Sequence, residues 1–216
     1  MAFTDDFNRA DEDLEADAGW TLVGGTAGDA AIVSNVVKCV ATASTAGAYQ
    51  CTDQGAGGKY SQAVIKVTGS EPFPVCLRLT DGSNFIGVRA QGGAWQCYKR
   101  NAGSFTLEGS YSATIAVDDI VYIEEDGSDN FDVKINGISR IKFSESFNSS
   151  ETRQGCASRS GPYTAWFDDF EASLLPVPAS KPSGQIQLNS SHALYSNVVA
   201  LLVIEYDGTP RVSVSG

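Results

Sequence analysis

The acidic residues in VYIEEDG (121–127) are the chain's nearest match to a catalytic pair. Retaining glycosidases use two carboxylates about 5 Å apart as acid and nucleophile. In an extended strand Glu124 and Asp126 share one face and Glu125 points to the other, so one such pair is present. No third carboxylate continues the pattern, because a glycine and a serine follow. We therefore interpret the stretch as a solvated strand end before a turn. We expect a protein without enzymatic activity, and a glycosidase is the least favoured function.

Two similar phrases, AFTDDFNRA (2–10) and AWFDDFEAS (165–173), each contain a pair of aspartates. If they form adjacent first and last strands, four carboxylates gather and repel one another. Such a group needs either a calcium ion or hydrogen bonds from backbone amides. We expect the amides, because aspartates at strand ends commonly accept such bonds. No cofactor is therefore expected, and a structural calcium ion is the alternative. The four residues are Asp5, Asp6, Asp168 and Asp169.

The other reactive residue types do not form a known site. The single histidine, His192, lies far from any candidate nucleophile, and no Gly-x-Ser-x-Gly elbow occurs. DGSDNFD (126–132) lacks the terminal glutamate of an EF-hand and indicates a polar hairpin turn. The cysteines show no CxxC spacing, so we expect buried free thiols rather than disulfides or zinc ligands. They are Cys39, Cys51, Cys76, Cys97 and Cys156.

Composition predicts the fold class. Of 216 residues, 22 are glycine and one is methionine, and apolar residues alternate in short runs rather than at helical spacing. The chain is therefore predicted to be all-β. A net charge of -11 leaves no basic surface for phosphates, so we expect no nucleic-acid partner. The N-terminus lacks the regions of a signal peptide, and no run reaches about 18 apolar residues. We expect that the protein folds in a cytoplasm and does not insert into a membrane.

Predicted hairpins supply most of the strands. VCLRLTDGSNFIGVRA (75–90) turns at Asp81-Gly82, the next hairpin turns at 101–103, and a third segment turns at 126–130 and 136–137. About a dozen such strands favour a two-sheet antiparallel sandwich. We interpret the repeated aspartate phrase as the place where the sandwich closes, because alternation gives both strands one comparable face. These faces carry Phe3, Asp5 and Phe7 in the first strand and Trp166, Asp168 and Phe170 in the last.

Alternation also divides the first hairpin between two faces. The apolar face is predicted to carry Val75, Leu77, Leu79, Ile86 and Val88. The opposite face combines aromatic rings, which stack on sugars, with planar polar groups that orient them. If those rings are exposed the face is a carbohydrate site, and if they are buried they belong to a core. The candidate carbohydrate-binding residues are Arg78, Phe85, Arg89, Trp95 and Tyr98.

The composition changes after the last predicted strand. PVPASKPSG (176–184) contains three prolines and no hydrophobic periodicity, which predicts a linker. We therefore predict a sandwich domain over 1–175, a linker over 176–184 and a C-terminal β-hairpin over 185–216.

The predicted C-terminal hairpin contains an unbroken apolar run before a turn at Asp207-Gly208. A strand that is apolar on both faces must be covered on both, and an isolated hairpin is marginally stable. We predict an assembly arm that pairs with another subunit or a neighbouring protein, and packing on its own sandwich is the alternative. The arm residues are Val198, Val199, Leu201, Leu202, Val203 and Ile204.

Four stretches, in this order and spacing, resemble concanavalin A-like (laminin-G-like) jelly-roll domains of tailed-phage virion proteins. They are DDFNRADEDLEADAGWTLVGG (5–25), VCLRLTDGSNFIGVRA (75–90), VDDIVYIEEDGSDNFDVKINGI (117–138) and GPYTAWFDDFEA (161–172). LNSSHALYSNVVALLVIEYDG (188–208) is similar to the opening of a second such module. The tail is therefore either a truncated second domain or a remnant reused as the arm.

The resemblance implies a jelly-roll sandwich and a non-enzymatic structural protein at the virion surface, assembled in the host cytoplasm. Its expected partners are other virion proteins, such as the major capsid or a tail protein, with a trimer as the expected homo-oligomer. The alternative is a carbohydrate-binding adhesin module of a receptor-binding fibre, with a cell-surface glycan as its ligand and Trp95 at its centre.

Overall fold

The computed structural model describes residues 2–39, 47–68, 72–158 and 166–176. The predicted arm, from Val198 to Ile204, and nearly all of the predicted linker lie outside these residues. The proposed domain boundaries and the role of the arm therefore stay predictions.

The described residues form sixteen strands and one 3-10 turn, Leu14–Ala16. One sheet contains β1 (Phe3–Asp5), β2 (Glu12–Asp13), β4 (Ala30–Val33), β5 (Val36–Cys39), β7 (Lys59–Val67), β12 (Ile120–Glu125), β13 (Asn130–Ile135), β14 (Ile138–Ser144) and β16 (Trp166–Leu174). The other contains β3 (Trp20–Gly24), β6 (Ala48–Cys51), β8 (Pro72–Asp81), β9 (Asn84–Gln91), β10 (Ala94–Asn101), β11 (Ser104–Ser112) and β15 (Gln154–Ser158).

Both sheets are antiparallel. The nine-stranded sheet runs β14-β13-β12-β7-β16-β5-β4-β2, with β1 also paired to β16, and the seven-stranded sheet runs β11-β10-β9-β8-β15-β6-β3. The predicted all-β, two-sheet sandwich is confirmed, as are the three predicted hairpins. In the described part of the chain, no helix has the length and apolar character needed to cross a membrane.

The main core lies between the sheets. Val75, Ile86 and Trp95 of the seven-stranded sheet pack in one buried cluster with residues such as Val121 and Phe167 of the nine-stranded sheet. The prediction of buried free thiols is confirmed for four cysteines, while the Cys39 side chain lies outside the described residues. The four are Cys51, Cys76, Cys97 and Cys156.

A β-bulge in β8 corrects the predicted faces of the first hairpin. Arg78 has a φ of 52°, and the pairing register with β9 shifts between Leu77 and Asp81. An extra residue at a bulge reverses the alternation beyond it. Arg78 therefore turns between the sheets, and Leu79 joins Phe85 on the outer face instead of the inner one.

The repeated aspartate phrases do mark where the sandwich closes. β1 pairs with β16, and Asp5 lies opposite Phe170. The predicted alternation of Trp166, Asp168 and Phe170 is wrong, because the register against β7 shifts after Asp168 and Asp169 has a φ of 49°. As a result Phe167 and Phe170 are both buried in the core.

Candidate functional site

The five predicted carbohydrate-binding residues do not share one surface. Trp95 belongs to the core between the sheets, and Phe85 belongs to a second buried cluster outside the seven-stranded sheet. Both side chains are 0% exposed. A ring without exposed surface has no face for a sugar, so the prediction that these two aromatics stack on a glycan is wrong. Alternation along β10 accounts for Trp95, which shares the inner face with Cys97.

Arg78 holds the two sheets together. Its guanidinium forms a paired contact with Glu125 of β12, at 2.6 and 3.2 Å, and donates to Asp129 at 2.6 Å. The remaining donors bind the backbone carbonyls of Glu145 and Phe147 at 2.8 and 2.7 Å. All five guanidinium donors are thus used inside the protein. The Arg78 side chain is fully buried, which makes it a structural residue rather than a ligand-binding one.

Arg89 and Tyr98 lie on the outer face of the seven-stranded sheet with Phe85. The Arg89 guanidinium carbon is 4.3 Å from the Tyr98 ring centroid and 5.5 Å from that of Phe73. Arg89 is 4% exposed, while Tyr98 is half-buried. Cation–π contacts of this kind stabilise the packing of an aromatic cluster. A role for Tyr98 in sugar binding stays a prediction.

The Asp5 carboxylate organises the N-terminus. It accepts hydrogen bonds from the Trp20 indole at 2.7 Å and the Phe7 amide at 2.9 Å, and Arg9 binds both of its oxygens at 2.6 and 3.1 Å. The Trp20 ring in turn packs against Phe170, with 4.9 Å between centroids. The opening Asp-Phe and the tryptophan that follows it therefore form one architectural unit.

The other three aspartates lie near one another. Asp6 accepts a hydrogen bond from the Asn8 amide and Asp168 accepts one from the Asp169 amide, as expected for aspartates that bind backbone amides. Burial, and then the nearby charges of Asp169 and Asp6, raise the pKa of Asp168, although the Asp169 amide and Lys66 oppose this. In the described residues no group of three or more histidine, cysteine or acidic side chains is arranged to hold a metal ion.

A row of polar and aromatic side chains crosses the outer face of the nine-stranded sheet. Alternation puts every second residue of β7, β12 and β13 on this face, most of them half-buried, while nearly all of the residues between them are buried. Glu171 of β16 joins this face beyond the shift in register after Asp168. Cross-strand pairing places Glu171 beside Gln62, Gln62 beside Tyr122, and Tyr122 beside Lys134. We call the following residues the polar strip: Glu171, Gln62, Tyr60, Tyr122, Glu124 and Lys134.

Hydrogen bonds fix the geometry of the polar strip. The Tyr60 hydroxyl and the Gln62 amide, at 2.9 Å, donate to the two oxygens of Glu171. The Tyr122 hydroxyl donates to Glu124 at 2.7 Å, and the Lys134 ammonium binds the same oxygen at 2.8 Å. Burial and the Glu171 carboxylate raise the pKa of Tyr60 to about 12. Its hydroxyl therefore remains a donor at neutral pH.

The centre of the polar strip is an aromatic column. The rings of Tyr60 and Tyr122 stack with centroids 5.1 Å apart and planes inclined by 23°. The Lys134 ammonium lies 4.8 Å from the Tyr122 centroid. Both rings are already held in place, so a ligand that binds over them would cause little further loss of side-chain freedom.

A cleft lies at each end of the polar strip. The first cleft, of about 440 Å³, is lined by Thr4, Asp6, Gln62, Asp169 and Glu171 among others. The second cleft, of about 190 Å³, is lined by Glu124, Asp126, Asn130, Phe131, Asp132 and Lys142. The polar strip therefore joins two polar concavities through an aromatic centre.

The two carboxylates of the candidate glycosidase pair, Glu124 and Asp126, are held by local contacts. Glu124 is held by the Tyr122 hydroxyl and Lys134. Asp126 caps its own turn, and hydrogen bonds from the Asn130 side chain and the Ser128 amide lower its pKa. The lowered pKa of Asp126 is the opposite of what a general acid needs at neutral pH. The arrangement agrees with a strand end and turn.

The polar strip is not among the predicted sites, although its alternation is visible in the sequence. KYSQAVIK (59–66) and IVYIEE (120–125) both place a tyrosine among the polar positions of an alternating strand. A tyrosine at a polar position marks a half-exposed ring. The sequence pattern does not reveal that β7 pairs with β12, because these two strands are far apart in the sequence.

Known structures share this fold. Carbohydrate-binding module CBM66 from Bacillus subtilis aligns with a TM-score of 0.53 and 17% identity, covering 72% of this chain and 96% of the module. The exoplasmic/lumenal domain of VIP36, in a Ca2+/Man-bound form, gives 0.51 and 10% identity, covering 76% and 86%. A galectin-like protein of unknown function from Bacillus subtilis gives 0.51 and 10%, covering 79% and 94%. No protein-family model and no curated protein sequence matches.

These likenesses, all below 25% identity, define the class by fold alone. The chain has a galectin- and concanavalin A-like jelly-roll sandwich, a fold that it shares with these three structures.

Proposed function

We propose that this domain binds carbohydrate on the polar strip. The proposal rests on the arrangement of the polar strip. Oriented amide, carboxylate and hydroxyl groups surround two stacked tyrosines, and a cleft lies at each end. Amides and carboxylates bind sugar hydroxyls in fixed directions, and aromatic rings supply apolar contact. The similarity in fold to a carbohydrate-binding module and to a domain in a Man-bound form supports this reading. We also propose that the protein is not an enzyme.

The charge of the first cleft selects among glycans. Among the described residues, Asp6, Asp169 and Glu171 make no ion pair, and the whole chain carries a net charge of -11. Like charges repel across an interface. We therefore expect binding of neutral glycans and rejection of polymers rich in uronic or sialic acids.

A glycan array tests this function, followed by titration of the best ligand with two variants. Gln62→Ala removes an amide that lines the first cleft, and we expect about a tenfold loss of affinity for one lost hydrogen bond. Gln96→Ala is the matched control, because Gln96 is also half-buried and accepts a side-chain hydrogen bond, from Tyr98. Gln96 lies on the seven-stranded sheet, so its variant should bind normally. Loss of binding in Gln96→Ala alone would contradict the proposed site.

A second candidate is the virion structural protein that the sequence resemblance implies. The observation that favours it is the apolar run from Val198 to Ile204, which needs a covering partner. In that proposal the arm binds a capsid or tail protein and the sandwich is displayed outside, as a homotrimer. Deleting 185–216 and measuring the mass in solution tests the arm, because an unchanged assembly would contradict it. The two functions are compatible in one protein, since they use different segments.

A further inference from the structure

We infer that the polar strip takes a linear oligosaccharide of several sugar rings, lying across the strands, rather than a single terminal sugar. This inference rests on the proposed function and specifies its ligand class. It follows from the placement of the two clefts on one face of the same sheet.

The two clefts lie over neighbouring pairs of strands in the nine-stranded sheet. Gln62 and Glu171 of the first cleft lie on β7 and β16, whereas Glu124 and Asp132 of the second lie on β12 and β13. Adjacent strands are about 4.8 Å apart, so the path from β16 to β13 spans about 14 Å. This length exceeds a single pyranose and matches a short chain.

The groups along this path are continuous. Between the clefts, Tyr122 pairs with Gln62 on one side, and Tyr60 pairs with Glu124 on the other. Each tyrosine hydroxyl is bound to a carboxylate of the polar strip, Tyr60 to Glu171 and Tyr122 to Glu124. A chain lying over the aromatic column would thus meet polar groups at both ends and ring surface in the middle. Each cleft is a separate subsite, and binding energy should accumulate as both are filled.

Labelled ladders of neutral glycans, prepared from mannan, xylan and β-glucan, test this inference by affinity from the monosaccharide to the hexasaccharide. Two isosteric variants report on the two ends: Asp6→Asn in the first cleft and Asp132→Asn in the second. Asp53→Asn, in an exposed loop after β6, is the control.

Affinity should rise at least tenfold from the monosaccharide to the tetrasaccharide. Both end variants should weaken the tetrasaccharide several-fold, while only one of them weakens the disaccharide. Equal affinity for the monosaccharide and the tetrasaccharide, or an effect of only one variant at every length, would overturn the extended site and leave carbohydrate binding intact. Absence of binding to every ladder would overturn the proposed function as well.

Discussion

We expect that replacing Arg78 by methionine strongly destabilises the sandwich, and that Arg78 is not part of a sugar-binding site. The substitution removes five hydrogen bonds. Within the described part of the chain, it leaves the buried Glu125 with Lys59, at 3.1 Å, as its one cationic partner. Breaking a buried ion pair by removing one partner costs about 3–5 kcal/mol. A domain's total stability is about 5–15 kcal/mol, so this is a large fraction of it.

Urea unfolding followed by circular dichroism measures this effect. With a slope of about 2 kcal/mol per molar urea, the midpoint should fall by about 2 M. The midpoint of Arg78→Lys should lie between those of wild type and Arg78→Met, because lysine keeps the charge but not the paired geometry. The triple variant Arg78→Met, Glu125→Met and Lys59→Met removes all three buried charges, so it should be more stable than Arg78→Met alone.

Two results would contradict a structural role for Arg78. A wild-type midpoint for Arg78→Met would show that the buried cluster contributes nothing. Weakened glycan binding by an Arg78→Lys protein of nearly normal stability would show that the sequence-based assignment of Arg78 to a ligand site was right.

Three further outcomes are expected. Trp95→Ala should lose about 3–5 kcal/mol of stability, as buried aromatics do, while Trp95→Phe keeps glycan binding; loss of binding in a stable Trp95→Phe protein would contradict its burial. Hydrogen bonds from Arg153 lower the pKa of Glu151, so this carboxylate stabilises the fold above about pH 4.5 and loses that contribution as the pH falls through its lower folded pKa. The difference in unfolding free energy between wild type and Glu151→Gln should therefore shrink as the pH falls below about 4.5. A difference that stays constant with pH would contradict this dependence. In a Cys39→Ser variant the remaining thiols should react with a thiol reagent only as fast as the domain unfolds, because burial raises the pKa of thiols such as Cys51, to about 12; labelling within seconds would contradict this.

The strands and hairpins were predictable because their signals are local. Asp81-Gly82 and Asn136-Gly137 sit between alternating segments, and the structure turns at both. Pairing of the first and last strands also followed from the repeated aspartate phrase.

The faces of the strands were predicted less well, because a single bulge reverses them. Arg78 and Asp169 both adopt a positive φ. An arginine or an aspartate in a sequence does not indicate a positive φ as strongly as a glycine does. Downstream of Arg78 the alternation inverts, and Leu79 exchanges faces. Arg78 leaves the predicted surface for this reason, and Phe85 and Trp95 have no exposed surface because both are buried.

The polar strip required tertiary information. Its residues come from β7, β12, β13 and β16, whose order in the sheet differs from their order in the chain. Only pairing in space brings Tyr60 and Tyr122 into contact.

A map of backbone amide shifts by NMR, recorded while the best glycan ligand is titrated, locates the binding face of the sandwich. We expect the shifted residues to cluster in β16, β7, β12 and β13, with the largest changes around Gln62, Tyr122 and Glu171. Shifts confined to β8, β9 and β10, around Arg89 and Tyr98, would contradict this expectation and restore the site first predicted from the sequence.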